Sequence, residues 1–336
     1  MKTIFKIIVC TVFLLITTYK INATVRIGII GLDTSHSPAF VKLINAEDPK
    51  PEYAGFRVVA AYPYGSKTIK TSYDRIPKFT EEVKKYGVEI TTSIDELLKV
   101  VDCVLLETND GNLHLEQALE VFKAGKPVFI DKPIGANLAQ AIVIFEMAQK
   151  YQVPVFSSST LRYGIQTQKI RNGEFGKVIG ADTYSPAQTE TSHADMAWYA
   201  IHGIESLFTM MGTGCEKVQR FHTDGSDVLV GIWKDGRIGT VRGIREGKNV
   251  YGGVALTDKG MIEGGKYEGY ELLLVEIINF FKTNVAPVKK EDTIEIFAFI
   301  EAADMSRKNG GKSISIEDAM KKGQQEAKNI MKKLKL

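Results

Sequence analysis

From residue 24 onward, short apolar runs alternate with amphipathic stretches. The runs "TVRIGIIG" (24–31), "FRVVAAY" (56–62), "VEITT" (88–92), "VDCVLLET" (101–108), "PVFID" (127–131) and "VPVFSSS" (153–159) have the length and β-branched content of buried strands. Between them, "SPAFVKLINA", "KFTEEVKKYG", "SIDELLKV", "LHLEQALEVFKAGK" and "LAQAIVIFEMAQKYQ" carry helical periodicity. Ser37 stands where a helix N-cap is expected, with Pro38 at the first helical position, and Ser93 with Glu96 has capping-box spacing. Strands alternating with helices predict a parallel, doubly wound α/β sheet of Rossmann type over 24–160. After Arg162 the pattern changes. One helix at 164–176 and another at about 195–212 flank a strand at 178–185. Strand then follows strand from 218 to 266, separated by turn pairs such as "KDGR" and "DKG". Helices at 268–283 and 292–309 and a Lys-rich tail helix close the chain. The expectation for 161–336 is a second, α+β domain with an open-faced, mainly antiparallel sheet.

Composition narrows the partners. The chain has 336 residues, 44% hydrophobic and 25% charged, enough for two ordinary cored domains. Lys and Arg total 43 against 40 acids, and Lys2, Lys6 and Lys20 account for the excess. All three lie in residues 1–23, which read as an export leader: a charged start, the apolar core "IIVCTVFLLITT", and a cleavage point after Ala23. The mature chain is then neutral, with no electrostatic reason to bind nucleic acid, and no stable membrane association is expected after cleavage. The periplasm is the expected location. The remaining cysteines, Cys103 and Cys215, have no metal-knuckle spacing.

The first turn, "GLDTSHS", bears on chemistry. In a dinucleotide fold the first glycine makes the tight turn, the second lets the backbone approach the pyrophosphate, and the third packs helix on strand. Gly31 supplies the first. Asp33 replaces the second and His36 the third. The second strand ends in Tyr62-Pro63, where an acid for the ribose hydroxyls is expected. If Asp33 turns aside as a cap, Thr34, Ser35 and Ser66 remain for phosphate.

"AGKPVFIDKPIG" (124–135) resembles the Gfo/Idh/MocA oxidoreductases, the glucose–fructose oxidoreductase and inositol dehydrogenase group, whose usual Glu-Lys-Pro is here Asp131-Lys132-Pro133. "WYAIHGIESLFTMMG" (198–212) and "AADMSRKNGGK" extend the resemblance over nearly the whole chain after the leader. It implies an active site between a Rossmann domain and an open-faced sheet domain, NAD or NADP as cofactor, and a sugar or polyol substrate. Lys132 maps to the family's catalytic lysine and His202 to its histidine, whose aspartate partner is replaced by Trp198. Gly31, Asp33, Thr34, Ser35, Thr108, Asp131 and Pro133 are the expected cofactor-side residues. His114, Arg162, His193 and Tyr199 are the expected substrate-side residues. A homo-oligomer through the open sheet is expected.

Other polar residues fall on the same rim: Glu107 and Asp110 after the fourth strand, Ser157 to Arg162 after the sixth, and Asp195 before the second-domain helix. Asp33, His36, Glu107, His193 and His202 are of ligand type, but no close-spaced motif joins them, and no metal is expected. Three functions follow: an oxidoreductase on a carbohydrate CH–OH group; a cofactor-independent lyase or epimerase with Lys132 and His202 as acid and base; and a sugar-binding protein without catalysis.

Overall fold

The computed structural model describes residues 24–336, so the leader reading of 1–23 lies outside the described residues. Six parallel strands, β1 (Val25–Ile30), β2 (Phe56–Tyr62), β3 (Glu89–Ile90), β4 (Cys103–Leu106), β5 (Val128–Ile130) and β6 (Val155–Phe156), order as β3-β2-β1-β4-β5-β6. That is the doubly wound order, and its ligand crevice lies outside the carboxyl ends of β1 and β4. The connecting helices are α1 (His36–Ile44), α2 (Lys70–Tyr73), α3 (Ile76–Lys84), α4 (Ile94–Val100), α5 (Gly111–Lys123) and α6 (Leu138–Lys150).

Two helix starts compare instructively with expectation. Ser93 Oγ accepts the Glu96 N–H at 3.1 Å as predicted, while the Glu96 carboxylate reaches back one residue further, to Thr92 N at 2.9 Å. Ser37 does not cap α1. It is buried one residue inside the helix and donates to the Gly31 carbonyl at 2.9 Å. α1 therefore begins earlier than expected and carries His36 in its first turn. The four-residue α2 has no apolar period of its own and was not predicted.

The second domain holds α7 (Ile165–Arg171), β7 (Val178–Pro186), α8 (Ile201–Met211), β8 (Cys215–Thr223), β9 (Ser226–Trp233), β10 (Ile238–Ile244), β11 (Gly252–Thr257) and β12 (Gly260–Gly264). It continues through α9 (Glu271–Thr283), α10 (Lys290–Lys308), β13 (Ile314–Ser315) and α11 (Ile316–Leu334). Its seven-stranded sheet orders as β12-β11-β7-β10-β9-β8-β13, antiparallel except for the β7–β10 pair. α8 is shorter than the expected 195–212, because residues 195–200 form turns.

The two halves are strapped together by burial. α9 returns to the Rossmann sheet, where Leu273, Ile277 and Phe280 share a core with Ile27, Phe40 and Val58. α11 lays its small face, Ala319, Gly323 and Ala327, toward α6. A Cβ on Gly323 would stand 2.4 Å from Leu138 Cδ2, so the approach requires glycine. The 187–200 segment is pinned on both sides. On the Rossmann side, Ala194 N donates to Ala136 O at 2.8 Å and Gly111 N donates to His193 Nε2 at 3.0 Å. On the other, Asp195 accepts from Arg220, Arg245 and Arg307. Arg220 is fully buried and also bonds Asp227 at 2.8 Å and Asp304 at 2.7 Å, so its charge is compensated where it would otherwise be costly. Cys103 and Cys215 are both buried and free.

Candidate active site

A cleft of about 270 Å³ opens where the carboxyl ends of β1, β4 and β5 face α8 and the 251–270 loops. Its lining includes Thr34, Ser35, His36, Asp131, Lys132, Tyr199 and His202, all but His36 among the expected site residues. Lys132 leaves the end of β5 with its ammonium 5.9 Å from the Tyr199 ring centroid. The Lys132–Pro133 peptide is cis.

His202 has found a replacement for its missing aspartate. Its Nδ1 lies 2.7 Å from Ser159 Oγ. Ser159 is fixed in turn by Glu205, which accepts the Ser159 N–H at 2.8 Å and pairs with Arg162 Nε at 2.7 Å. Burial, then the positive charge of Lys132, holds the His202 imidazole well below its ordinary pKa, so it is neutral at neutral pH. A neutral imidazole held at Nδ1 leaves Nε2 for proton exchange with a bound molecule.

Four tyrosines, Tyr199, Tyr251, Tyr267 and Tyr270, wall the cleft. The last three come from loops without periodicity, which is why the sequence pattern did not single them out. Tyr270 stands edge-on to His36 at 4.5 Å between centroids and shares a 3.0 Å hydrogen bond with Ser35 Oγ.

Three expected substrate residues lie outside the cleft lining. His114 is buried beneath it, its nitrogens against the carbonyls of Thr108 at 2.6 Å and Pro133 at 3.0 Å, where it braces two strand exits. Arg162 is consumed by Glu205 in a buried pair. His193 packs on Trp198 and accepts from Gly111 N, and burial lowers its pKa to about 4. Each faces inward because its element presents that side to the core, which residue type alone does not reveal.

His36 at the start of α1, Glu107 after β4 and Asp131 after β5 meet beneath the cleft floor. His36 Nδ1 is 3.0 Å from Asp131 Oδ1 and 3.6 Å from Glu107 Oε2. Burial alone would lower the His36 pKa, but Asp131 and then Glu107 outweigh it and lift it to about 10. His36 and Glu107 were among the ligand-type residues named from the sequence; the structure brings them together with Asp131, which no close-spaced motif foretold.

Residues 25–159 match the oxidoreductase family with an NAD-binding Rossmann fold, Gfo/Idh/MocA. The chain is 29% identical over 219 residues to a myo-inositol 2-dehydrogenase of Thermotoga maritima, covering 61% of this chain and 59% of that protein. It is 26% identical over 154 residues to the uncharacterized oxidoreductase YhhX of Escherichia coli, covering 42% and 45%. The chain thus spans less than two thirds of the length of either relative. A probable dehydrogenase from Thermotoga maritima superposes with a TM-score of 0.72 at 21% identity, over 88% of this chain and all of that one. The scyllo-inositol dehydrogenase of Lactobacillus casei, solved with NAD(H) and scyllo-inositol, gives 0.68 at 16%, over 88% and 99%. The match to the Gfo/Idh/MocA model covers the Rossmann half of the chain, residues 25–159.

The matched model describes an NAD-binding Rossmann fold, and the first βα turn tests the fit. Gly31 holds the tight turn at φ +96°, with no room for a Cβ against Thr108 N. Thr108 itself is fully buried. Asp33 is not turned toward solvent. It is fully buried, its Oδ1 accepting the Asn109 N–H at 3.0 Å, and the chain at Gly65 closes on its Oδ2, which has no partner. Asn109 Nδ2 also bonds Ser72 Oγ at 2.9 Å, tying the segment after β2 across the mouth. A buried carboxyl thus stands where the dinucleotide pattern has its second glycine, and when ionised its charge opposes a diphosphate at this turn.

Proposed function

We propose that the protein acts as an oxidoreductase at a CH–OH carbon of a carbohydrate or polyol, in the cleft between its two domains. The observation that carries this reading is the joint placement of Lys132 and His202 in a tyrosine-walled cleft at the strand exits. Lys132 would hold the reacting hydroxyl oxygen and stabilise negative charge as it develops. Neutral His202 would take the hydroxyl proton, with Ser159 keeping the ring in place. Tyrosine faces offer an apolar platform with polar edges, which suits a ring bearing both C–H and O–H groups. The family implies NAD or NADP for the redox half, and the chain's own groups account for the proton half.

The closed turn at Asp33 favours a second reading, in which the same pair removes and returns a proton beside a carbonyl, as in an epimerase or lyase. A panel of sugars and polyols separates the two. Reduction of added NAD or NADP supports the first reading. Incorporation of solvent deuterium at carbon without any change in nicotinamide supports the second. Neither signal with any member, together with saturable sugar binding, leaves a non-catalytic binding protein.

His202→Asn is expected to lower turnover by roughly 10²–10⁴, the usual range for a lost acid–base group. The sign of the pKa shift moves its pH signature. Protonation below a lowered pKa would switch the base off, so the acid limb of kcat/KM falls below pH 6.5 in the parent and disappears in the variant. An unchanged acid limb in His202→Asn assigns the histidine to the core.

The sheet of the second domain leaves Ile179, Ile238, Leu256 and Met261 exposed on the face away from α8. A second copy of the chain is the proposed cover. Light scattering is expected to give an oligomer for the parent and a monomer for Ile238→Glu. A monomeric parent would remove the proposal.

A further inference from the structure

The geometry points to a divalent-cation site formed by His36, Glu107 and Asp131, with an open position facing the cleft beside Lys132. The inference goes beyond the proposed reaction and does not depend on it.

The three side chains each offer a ligand atom, and these atoms all lie within 4.8 Å of one another. Metal bonds of about 2.1 Å at the tetrahedral angle place neighbouring ligand atoms ~3.4 Å apart. The two distances from His36 Nδ1, 3.0 Å to Asp131 and 3.6 Å to Glu107, bracket that spacing.

A second observation concerns satisfaction. Glu107 is 0% exposed, and neither of its carboxylate oxygens has a hydrogen-bond partner. Asp131 Oδ2 and His36 Nδ1 are also without one, since the 3.0 Å approach of His36 to Asp131 lacks hydrogen-bond geometry. Four buried polar atoms thus converge, and His36 Nδ1 alone among them could carry a proton. Unpaired groups of this kind are costly, and a cation would satisfy all of them at once.

The donor set and surroundings limit the ion. One imidazole and two carboxylates suit first-row ions such as Mn²⁺, Fe²⁺ or Zn²⁺ better than an all-oxygen cage suits Ca²⁺. His36 and Asp131 reach the cleft wall while Glu107 does not, so a three-ligand ion would present its open side to a bound molecule. Lys132, His202 and His114 are the charged or titratable neighbours of the cluster, and the rings of Tyr270 and Phe40 pack on His36. An ion there could act as a Lewis acid on a hydroxyl or carbonyl oxygen held by Lys132, without any change of oxidation state. The competing arrangement is an imidazolium between two carboxylates, with a proton in place of the metal.

Metal binding to the full folded protein decides between them. After chelator treatment and dialysis, Mn²⁺ and Zn²⁺ are titrated by calorimetry, with thermal unfolding recorded beside each titration. The expected result is one ion per chain and a raised melting temperature. Glu107→Gln and Asp131→Asn should each weaken binding by at least about 100-fold, since loss of outer-shell partners alone costs 10–100-fold. Circular dichroism checks that each variant is folded, and a variant that fails leaves the other to carry the comparison. The electron paramagnetic resonance of bound Mn²⁺ should lose its nitrogen coupling in His36→Gln. No saturable binding to the parent, or binding that both folded carboxamide variants retain, overturns the site in favour of the imidazolium. Either result leaves the roles of Lys132 and His202 to be judged by their own assays.

Discussion

Lys132→Met is expected to leave a folded protein with turnover reduced by 10²–10³ or more. The size follows from what is removed. A preorganised donor aimed at developing negative charge is worth on the order of 10²–10³ in rate. Methionine keeps most of the apolar stem, so the contact with Tyr199 survives in part while the ammonium is lost. Lys132 also lowers the proton affinity of His202, so its removal should shift the acid limb of the pH–rate profile upward, toward the ordinary histidine value. That second effect separates a group acting in the cleft from a merely structural lysine. Turnover within a few-fold of the parent, with an unmoved acid limb, would take Lys132 out of the chemistry.

Asp33→Gly should improve binding of NAD and NADP by as much as about a thousandfold. A carboxylate about 4 Å from a diphosphate charge costs roughly 4 kcal/mol at an effective dielectric near 20, or about three decades in affinity. Glycine removes that charge, frees the Asn109 N–H and opens the space beneath Gly65. The carboxyl supplies its own control. Burial, against the hydrogen bond from Asn109, raises its pKa to about 7. Above that value the group is charged and repels a diphosphate; below it the group is neutral. Parent affinity for NAD should therefore rise as pH falls from about 8 to 6, and the glycine variant should show no such slope. Calorimetry at several pH values measures both. Tight binding to the parent, unimproved by glycine and flat with pH, would mean that the turn accepts its cofactor despite the aspartate.

Much of the architecture was legible because the Rossmann strands are buried and the helices between them are amphipathic. The parallel, doubly wound sheet followed from that alternation, while its strand order comes from the structure. The place of Lys132 in the cleft was legible through the Asp131-Lys132-Pro133 motif, and that of His202 through the resemblance of 198–212 rather than its helical pattern. What escaped was the direction of side chains set by long-range packing. His114, Arg162 and His193 have active-site chemistry, yet each points into the core, and nothing in local pattern distinguishes inward from outward at a helix start or turn. The meeting of His36 with Glu107 and Asp131 is of the same kind. It depends on three strand exits converging, together with α1 beginning at residue 36 rather than 38. Ser159 was visible only as one of several polar residues after β6; its partnership with His202 required the fold.

The doubly pinned segment at 187–200 bears on how molecules enter and leave. Clamshell enzymes admit substrate by swinging their domains about a hinge, and hinges need residues free to change conformation. Here the segment carrying Tyr199 is bonded to the Rossmann domain at Ala136 and Gly111 and to three arginines through Asp195. Swinging the halves apart would break all of these contacts and peel α11 from α6. Entry over the lip, past the exposed Arg75 and the short helix before it, would leave these contacts intact. On the proposed reading, the cleft holding Lys132 and His202 is then reached without parting the two halves.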